Sequence, residues 1–151
     1  MIITKKIFFF MLLLSLGNCG YEPLYLKKND LNDIIQSFQV EGNKKINRRI
    51  VSSLNLKNKN KTTGYKIIID SNKTLETVSK EKTGSSSVYK TQITVKISLI
   101  DSDKIFKEKT FNSQFTYNNI KHKFDLSQYQ KDIEKDLTDK IIEEIFVFLT
   151  T

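Results

Sequence analysis

Few residues in this chain are able to do covalent or metal chemistry. Its 151 residues include one cysteine, Cys19, and one histidine, His122. A solitary thiol forms no disulfide within the chain, and one thiol with one imidazole supplies neither a structural zinc set nor a multi-histidine site. Any Ser/His or Cys/His nucleophile would rest on His122. It sits in the link Asn119-Ile120-Lys121-His122-Lys123, with no carboxylate or thiol at ligand spacing, and reads as a solvated loop residue. Ser85-Ser86-Ser87 beside Gly84 lacks the strand-Gly-x-Ser-x-Gly turn of a nucleophile elbow and reads as a hairpin tip. Asp132, Asp136, Glu143 and Glu144 share one segment with Lys131, Lys135 and Lys140 at helical spacing, the pattern of a solvated ion-pair face and not of a general acid/base pair. No catalytic residue, metal or cofactor is expected, and the protein is expected not to be an enzyme.

Positive charge is the chemistry that remains. Lys+Arg number 25 against 17 Asp+Glu, a formal net charge of +8. Only Arg48 and Arg49 are arginine and the chain has no alanine, a bias that fits an AT-rich genome writing Lys at polar surface positions. The total is therefore weak evidence for a partner, and its local distribution carries more. Nucleic acid is not expected, since there is no zinc-finger spacing, no Gly-rich loop and no basic helix interleaved with aromatics. Two short clusters, Lys80 with Lys82 and Lys121 with Lys123, flank predicted strands. Gathered at one end of a sheet, they would suit a phosphorylated, polyanionic ligand.

The elements that must position these groups begin with a targeting segment. Lys5 and Lys6 precede the apolar run Ile7 to Leu16, which has the charge order and length of a secretory signal and is too short for a membrane span. Leu16-Gly17-Asn18-Cys19 then resembles the lipobox of bacterial lipoproteins. The resemblance implies cleavage between Asn18 and Cys19, and Cys19 carrying a diacylglyceryl thioether and an amide-linked acyl chain. Asn18 is larger than the usual small residue there. Gly20 follows, not the Asp that in many bacteria retains lipoproteins at the inner membrane, so the resemblance implies an outer-membrane protein facing the periplasm. Loss of Lys5 and Lys6 lowers the net charge by two.

The expected organisation is a signal peptide over 1–18, a lipidated leader over 19–31 containing the one proline, Pro23, and one domain over 32–151. Ile34 to Val40 reads as a short strand ended by Glu41-Gly42-Asn43. From Asn43 to about Leu56, Ile46, Ile50 and Leu54 recur every four residues, while Lys44, Lys45, Arg48 and Arg49 project from the other side of a predicted helix. Tyr65, Ile67 and Ile69 open a second strand that continues through Leu75 and Val78. Tyr89, Thr91, Ile93, Val95, Ile97 and Leu99 alternate with polar residues in the clearest strand, predicting a sheet with one wet face. Asp101-Ser102-Asp103 turns the chain into Lys104 to Asn118, where Phe111, Phe115 and Tyr117 are in register and Phe106 is out of phase, which predicts a bulge. Ser127-x-x-Gln130 offers a capping box for a last helix reaching about Leu149, with Ile133, Leu137, Ile141, Ile145 and Leu149 at four-residue spacing and Ile142 and Phe146 beside them. The expected fold is α+β in two layers, two helices on a four-stranded, mostly antiparallel sheet, in the order strand, helix, three strands, helix.

Cys19-Gly20-Tyr21-Glu22-Pro23-Leu24-Tyr25 resembles the opening of alphaproteobacterial members of the LPS-assembly lipoprotein family, LptE. The element order and the pair Tyr117-Asn118 before a charged last helix are similar as well. The resemblance implies a protein that plugs and helps assemble the outer-membrane barrel LptD and contacts lipopolysaccharide on its way to the cell surface. By position it implies lipopolysaccharide contact at Lys82, and at Lys121 or Lys123, with Lys80 adjoining. A different class of reading is a lipoprotein scaffold or pilotin for another envelope assembly. A lipid-anchored hydrolase comes third.

Overall fold

A computed structural model describes residues 31, 33–58, 63–80, 84 and 86–151. The expected signal segment, Cys19, most of the expected leader and Lys82 lie outside the described residues. Chain order gives β1 (Ile35–Gly42), α1 (Lys44–Ser53), β2 (Tyr65–Lys80), β3 (Ser86–Asp101), β4 (Lys104–Asn118) and α2 (Lys123–Thr150). The strands form one sheet in the order β1-β2-β3-β4, the expected α+β arrangement of two helices on a four-stranded sheet.

Strand directions follow from the connections. β2, β3 and β4 are joined by short links and pair antiparallel. Between β1 and β2 stands α1, a crossover long enough to return the chain in the same direction, and this pair is parallel. The turn between β3 and β4 is tight: Asp101 pairs with Lys104, and Ser102 and Asp103 take φ of 46° and 65°, the two left-handed residues that match the twist of a hairpin. Ile100 faces Ile105 while Leu99 faces Lys107. Phe106 is therefore the extra residue of a bulge, as its phase predicts.

The β1–α1 corner is built from three residues. Gly42 takes φ +81°. Asn43 caps α1, its side-chain oxygen accepting from the amides of Lys45 at 3.0 Å and Ile46 at 3.2 Å. Behind the cap, Ser71 Oγ donates to Asn47 Oδ1 at 2.7 Å, and Asn47 Nδ2 donates to the carbonyl of Glu41 at 2.6 Å, so the buried amide of Asn47 is satisfied on both sides. At its other end α1 stops three residues before Leu56. Asn55 turns left-handed at φ 53°, and the amides of Asn55 and Leu56 reach back to the carbonyls of Ser52 and Val51, a Schellman closure that the apolar periodicity does not encode.

α2 begins a turn earlier than its sequence signature. Its N-cap is His122, whose side chain makes no capping bond, and Ser127 lies within the helix. The Ser127-x-x-Gln130 pattern is thus a chance spacing on a polar face. Asp125 supplies the negative charge that the first turn favours. The C-terminal end is held from the sheet: Lys107 Nζ donates to the carbonyl of Phe148 at 2.8 Å and lies 4.3 Å from that ring's centroid, placing a cation at the negative end of the helix.

Both helices lay their apolar stripes on one sheet face. Ile46, Ile50 and Leu54 of α1 and Ile133, Leu137, Ile141 and Ile145 of α2 meet Ile67, Ile69, Ile93, Val95, Ile97 and Phe111, each contributing about 1.5–3 kcal/mol by leaving water. Leu31, at the end of the expected leader, is 1% exposed within this core. The opposite sheet face is polar, as the alternation predicts. It is tied by Lys90 to Glu76 and Lys96 to Glu108, each at 3.1 Å, and by Thr94 to Asn112 at 2.6 Å.

The basic side of α1 is not wholly turned to solvent. Lys45 reaches Glu134 of α2 at 2.7 Å, and Arg49 forms a two-pronged pair with Asp139, both contacts at 2.6 Å. Lys73 of β2 also binds Glu134, so one buried carboxylate joins both helices to the sheet. Burial pushes the Glu134 carboxyl up, but its bonds to Lys45 and Lys73 outweigh that and hold it below the ordinary carboxylate value of 4.5. A lowered value contributes stability that is present above the ordinary pKa and lost as pH falls through the lowered one. Glu134→Gln is therefore expected to unfold at a lower urea concentration at pH 7, by about 1–2 kcal/mol since Lys45 is largely exposed. Its acid sensitivity below about pH 4.5 should be weaker than that of the parent. Parallel urea titrations at pH 7 and pH 3 measure both differences.

Candidate functional site: the lysine and aromatic end of the sheet

Lys80 closes β2 opposite Ser86, and the amide of Asn119, just past β4, donates to the carbonyl of Ser87 at 2.8 Å. The β2–β3 turn and the β4–α2 link therefore share one end of the sheet. Lys80, Lys121 and Lys123 are all exposed there, with β2 and β4 two strand spacings apart, about 10 Å. Three of the four expected lysines are brought to one end; Lys82 lies outside the described residues. Lys123 is the first residue of α2, where its charge adds to the partial positive charge of the helix N-terminus. That placement disfavours the free helix slightly and favours an anion beside it. His122 and Phe124 flank it, both exposed, Phe124 to 81%.

Sequence periodicity did not single out the aromatic residues next to this end. Tyr117 is buried, with its hydroxyl 3.2 Å from Thr91 Oγ1. Its ring stacks on Tyr89 at 5.8 Å and meets Tyr129 of α2 edge-on at 5.6 Å, and Phe115 lies alongside at 6.4 Å. Phe115 is on the helix-bearing face, in register with the core, yet it remains 46% exposed, and Tyr129 38%. Between them runs a groove of about 270 Å³ floored by Ile133 and Leu137, with Asp132 and Asp136 on its rim. The available signal was the aromatic pair Phe115 and Tyr117 ending β4 just before the lysine link. The in-phase pattern alone reads as core.

The remaining charged residues are structural or dispersed. Asp132, Asp136, Glu143 and Glu144 are exposed along α2, and Gln128 Nε2 donates to Asp132 at 3.1 Å. A groove of about 370 Å³ between the helices is lined by Lys45, Arg49 and Glu134, which are already paired. Among the described residues no group of three His, Cys, Asp or Glu side chains is placed to hold a metal ion, and no helix is long and apolar enough to cross a membrane.

The chain matches no protein-family model and no curated protein sequence. Its fold does have solved counterparts. Rare lipoprotein B from Shewanella oneidensis superposes with a TM-score of 0.58 at 12% identity, over 76% of this chain and 93% of that one. A minor lipoprotein from Acinetobacter baumannii gives 0.59 at 11% identity, over 77% and 90%. A lipoprotein from Caulobacter crescentus gives 0.56 at 11% identity, over 81% and 90%. Spanning nine-tenths or more of each of these chains, this protein shares their fold, that of small bacterial lipoproteins.

Proposed function

We propose that the protein is an outer-membrane lipoprotein, anchored through Cys19, that plugs and helps assemble an LptD-like β-barrel and assists lipopolysaccharide delivery to the cell surface without catalysing a reaction. The observation that carries this reading is the gathering of Lys80, Lys121 and Lys123 at one end of the sheet, with the exposed rings of Phe115 and Tyr129 nearby. Ammonium groups pair with phosphate oxygens in charge-assisted bonds. Such pairing would loosen lipopolysaccharide aggregates that divalent ions hold together. The polar sheet face fits a hydrophilic barrel lumen, and the fold shared with small lipoproteins supports an envelope location.

Two measurements test the reading. Mild detergent extraction at native expression should recover the protein with a large outer-membrane barrel; recovery as a free monomer would count against the plug. Lys80→Gln with Lys121→Gln and Lys123→Gln should weaken lipopolysaccharide binding roughly tenfold. The matched control is Lys44→Gln with Arg48→Gln and Lys140→Gln, because Lys45 is engaged by Glu134 and its loss would also disturb the helix pair. Equal losses in the two triples would reduce the effect to net charge. Depletion that leaves surface lipopolysaccharide unchanged would favour a scaffold or pilotin for another envelope assembly.

A further inference from the structure

We propose that the groove between β4 and α2 is a hydrocarbon site, taking one alkyl chain of an amphiphile whose phosphate lies at Lys121 and Lys123. The inference rests on the anionic-ligand reading of that end and adds the part of the ligand that charge does not recognise. Phe115 and Tyr129 form its walls and Ile133 and Leu137 its floor. An aromatic ring on the core-facing side of β4 that stays 46% exposed is apolar surface without a cover, and covering it is favourable in proportion to its area.

Position and charge fix the occupant and its direction. Along α2 the groove runs from Leu137 to Tyr129, about 12 Å by helical rise, and Lys123 lies about 9 Å further toward the N-terminus. A chain laid in the groove therefore brings its head group to the electropositive end of the helix. Asp132 and Asp136 on the rim repel a phosphate placed alongside them, which disfavours the reversed orientation. A peptide side chain would fill the walls, but it would leave the lysines without an anion.

The test uses the chain from Cys19 onward with Cys19→Ser, so that no acyl group of its own competes, titrated calorimetrically with n-alkyl phosphates below their micelle concentrations. Affinity should rise about three- to fourfold per added methylene once the chain is long enough to reach Tyr129, and level off when the groove is filled at interior packing density. Phe115→Ser, checked for folding by circular dichroism, should flatten the series and weaken decyl phosphate at least tenfold while leaving butyl phosphate nearly unchanged. Tyr129→Gln is the second variant and should act in the same direction. Lys121→Gln with Lys123→Gln should weaken every member by a similar factor. No dependence on chain length, or a dependence that survives both groove variants, overturns the assignment. If lipopolysaccharide binds while the series is flat, only the groove assignment fails; if neither lipopolysaccharide nor any alkyl phosphate binds, the anionic-ligand reading fails with it. Lipid A and phosphatidic acid are the two membrane sources of this chemistry. Displacement of decyl phosphate by either supports the site and names the source, and displacement by neither overturns it.

Discussion

Cys19→Ala should abolish fatty-acid labelling of the protein and leave its N-terminal apolar segment uncleaved. The effect is expected to be nearly complete because Cys19 is the single thiol of the chain. Each buried methylene contributes about 0.8 kcal/mol, so one acyl chain binds only marginally while two or three anchor durably. Removing the sulfur removes the diacylglyceryl attachment and, with it, recognition of the cleavage site. The folded domain should be unaffected, since Leu31 and everything packed with it lie well downstream. Metabolic labelling with a fatty acid, together with the mass of the product, reads both outcomes. A mutant that still labels would remove the lipobox interpretation, and with it the proposed envelope location. Asn18→Gly is the complementary variant, expected to be processed at least as completely as the parent because it restores a small residue before the cleaved bond.

Gly42→Ala should destabilise the fold by about 3 kcal/mol or more, among the largest effects of any single methyl addition here. Gly42 faces Ser71 in the parallel β1–β2 register, and a Cβ at Gly42 would overlap the Ser71 carbonyl. That carbonyl also accepts the amide of Asn43 at 2.8 Å, the residue that caps α1. Forcing Ser71 away therefore strains the strand pairing, the cap and the buried Asn47 amide together. The left-handed φ of +81° adds its own penalty for a residue with a side chain. Gly84→Ala separates the two causes: its φ is +84° but a Cβ there meets nothing within 4 Å, so it should cost about 1–2 kcal/mol. Urea denaturation midpoints of the two variants, with unchanged m-values, give the comparison. Equal losses would show that only the backbone conformation matters and that the close approach to Ser71 does not.

Local pattern made much of this fold legible. Alternation in β3 assigned its buried and wet faces correctly, because side chains on a strand alternate whatever packs above them. Phe106 announced the bulge by falling out of that alternation. Glu41-Gly42-Asn43 marked the corner into α1, since a left-handed glycine followed by a capping side chain is chemistry within three residues. What the pattern misplaced lay at helix ends. Ser127 and Gln130 had the spacing of a cap, yet α2 starts at Lys123, and α1 closes at Asn55 through backbone bonds that many sequences could make.

The sequence by itself determined the order of elements, the apolar faces of strands and helices, and the position of Cys19 after an apolar run, all of which are near-neighbour properties. Tertiary structure decided which of those faces meet. Lys45 and Arg49, read as part of the basic side opposite the apolar stripe, pair with Glu134 and Asp139, some 90 residues away in the case of Arg49. Lys80 and Lys123 share an end of the sheet because antiparallel pairing folds distant turns together. Phe115 has the phase of a core residue and is half exposed, because periodicity tells a side chain which face it occupies, while only the path of α2 over that face sets how much of it is covered.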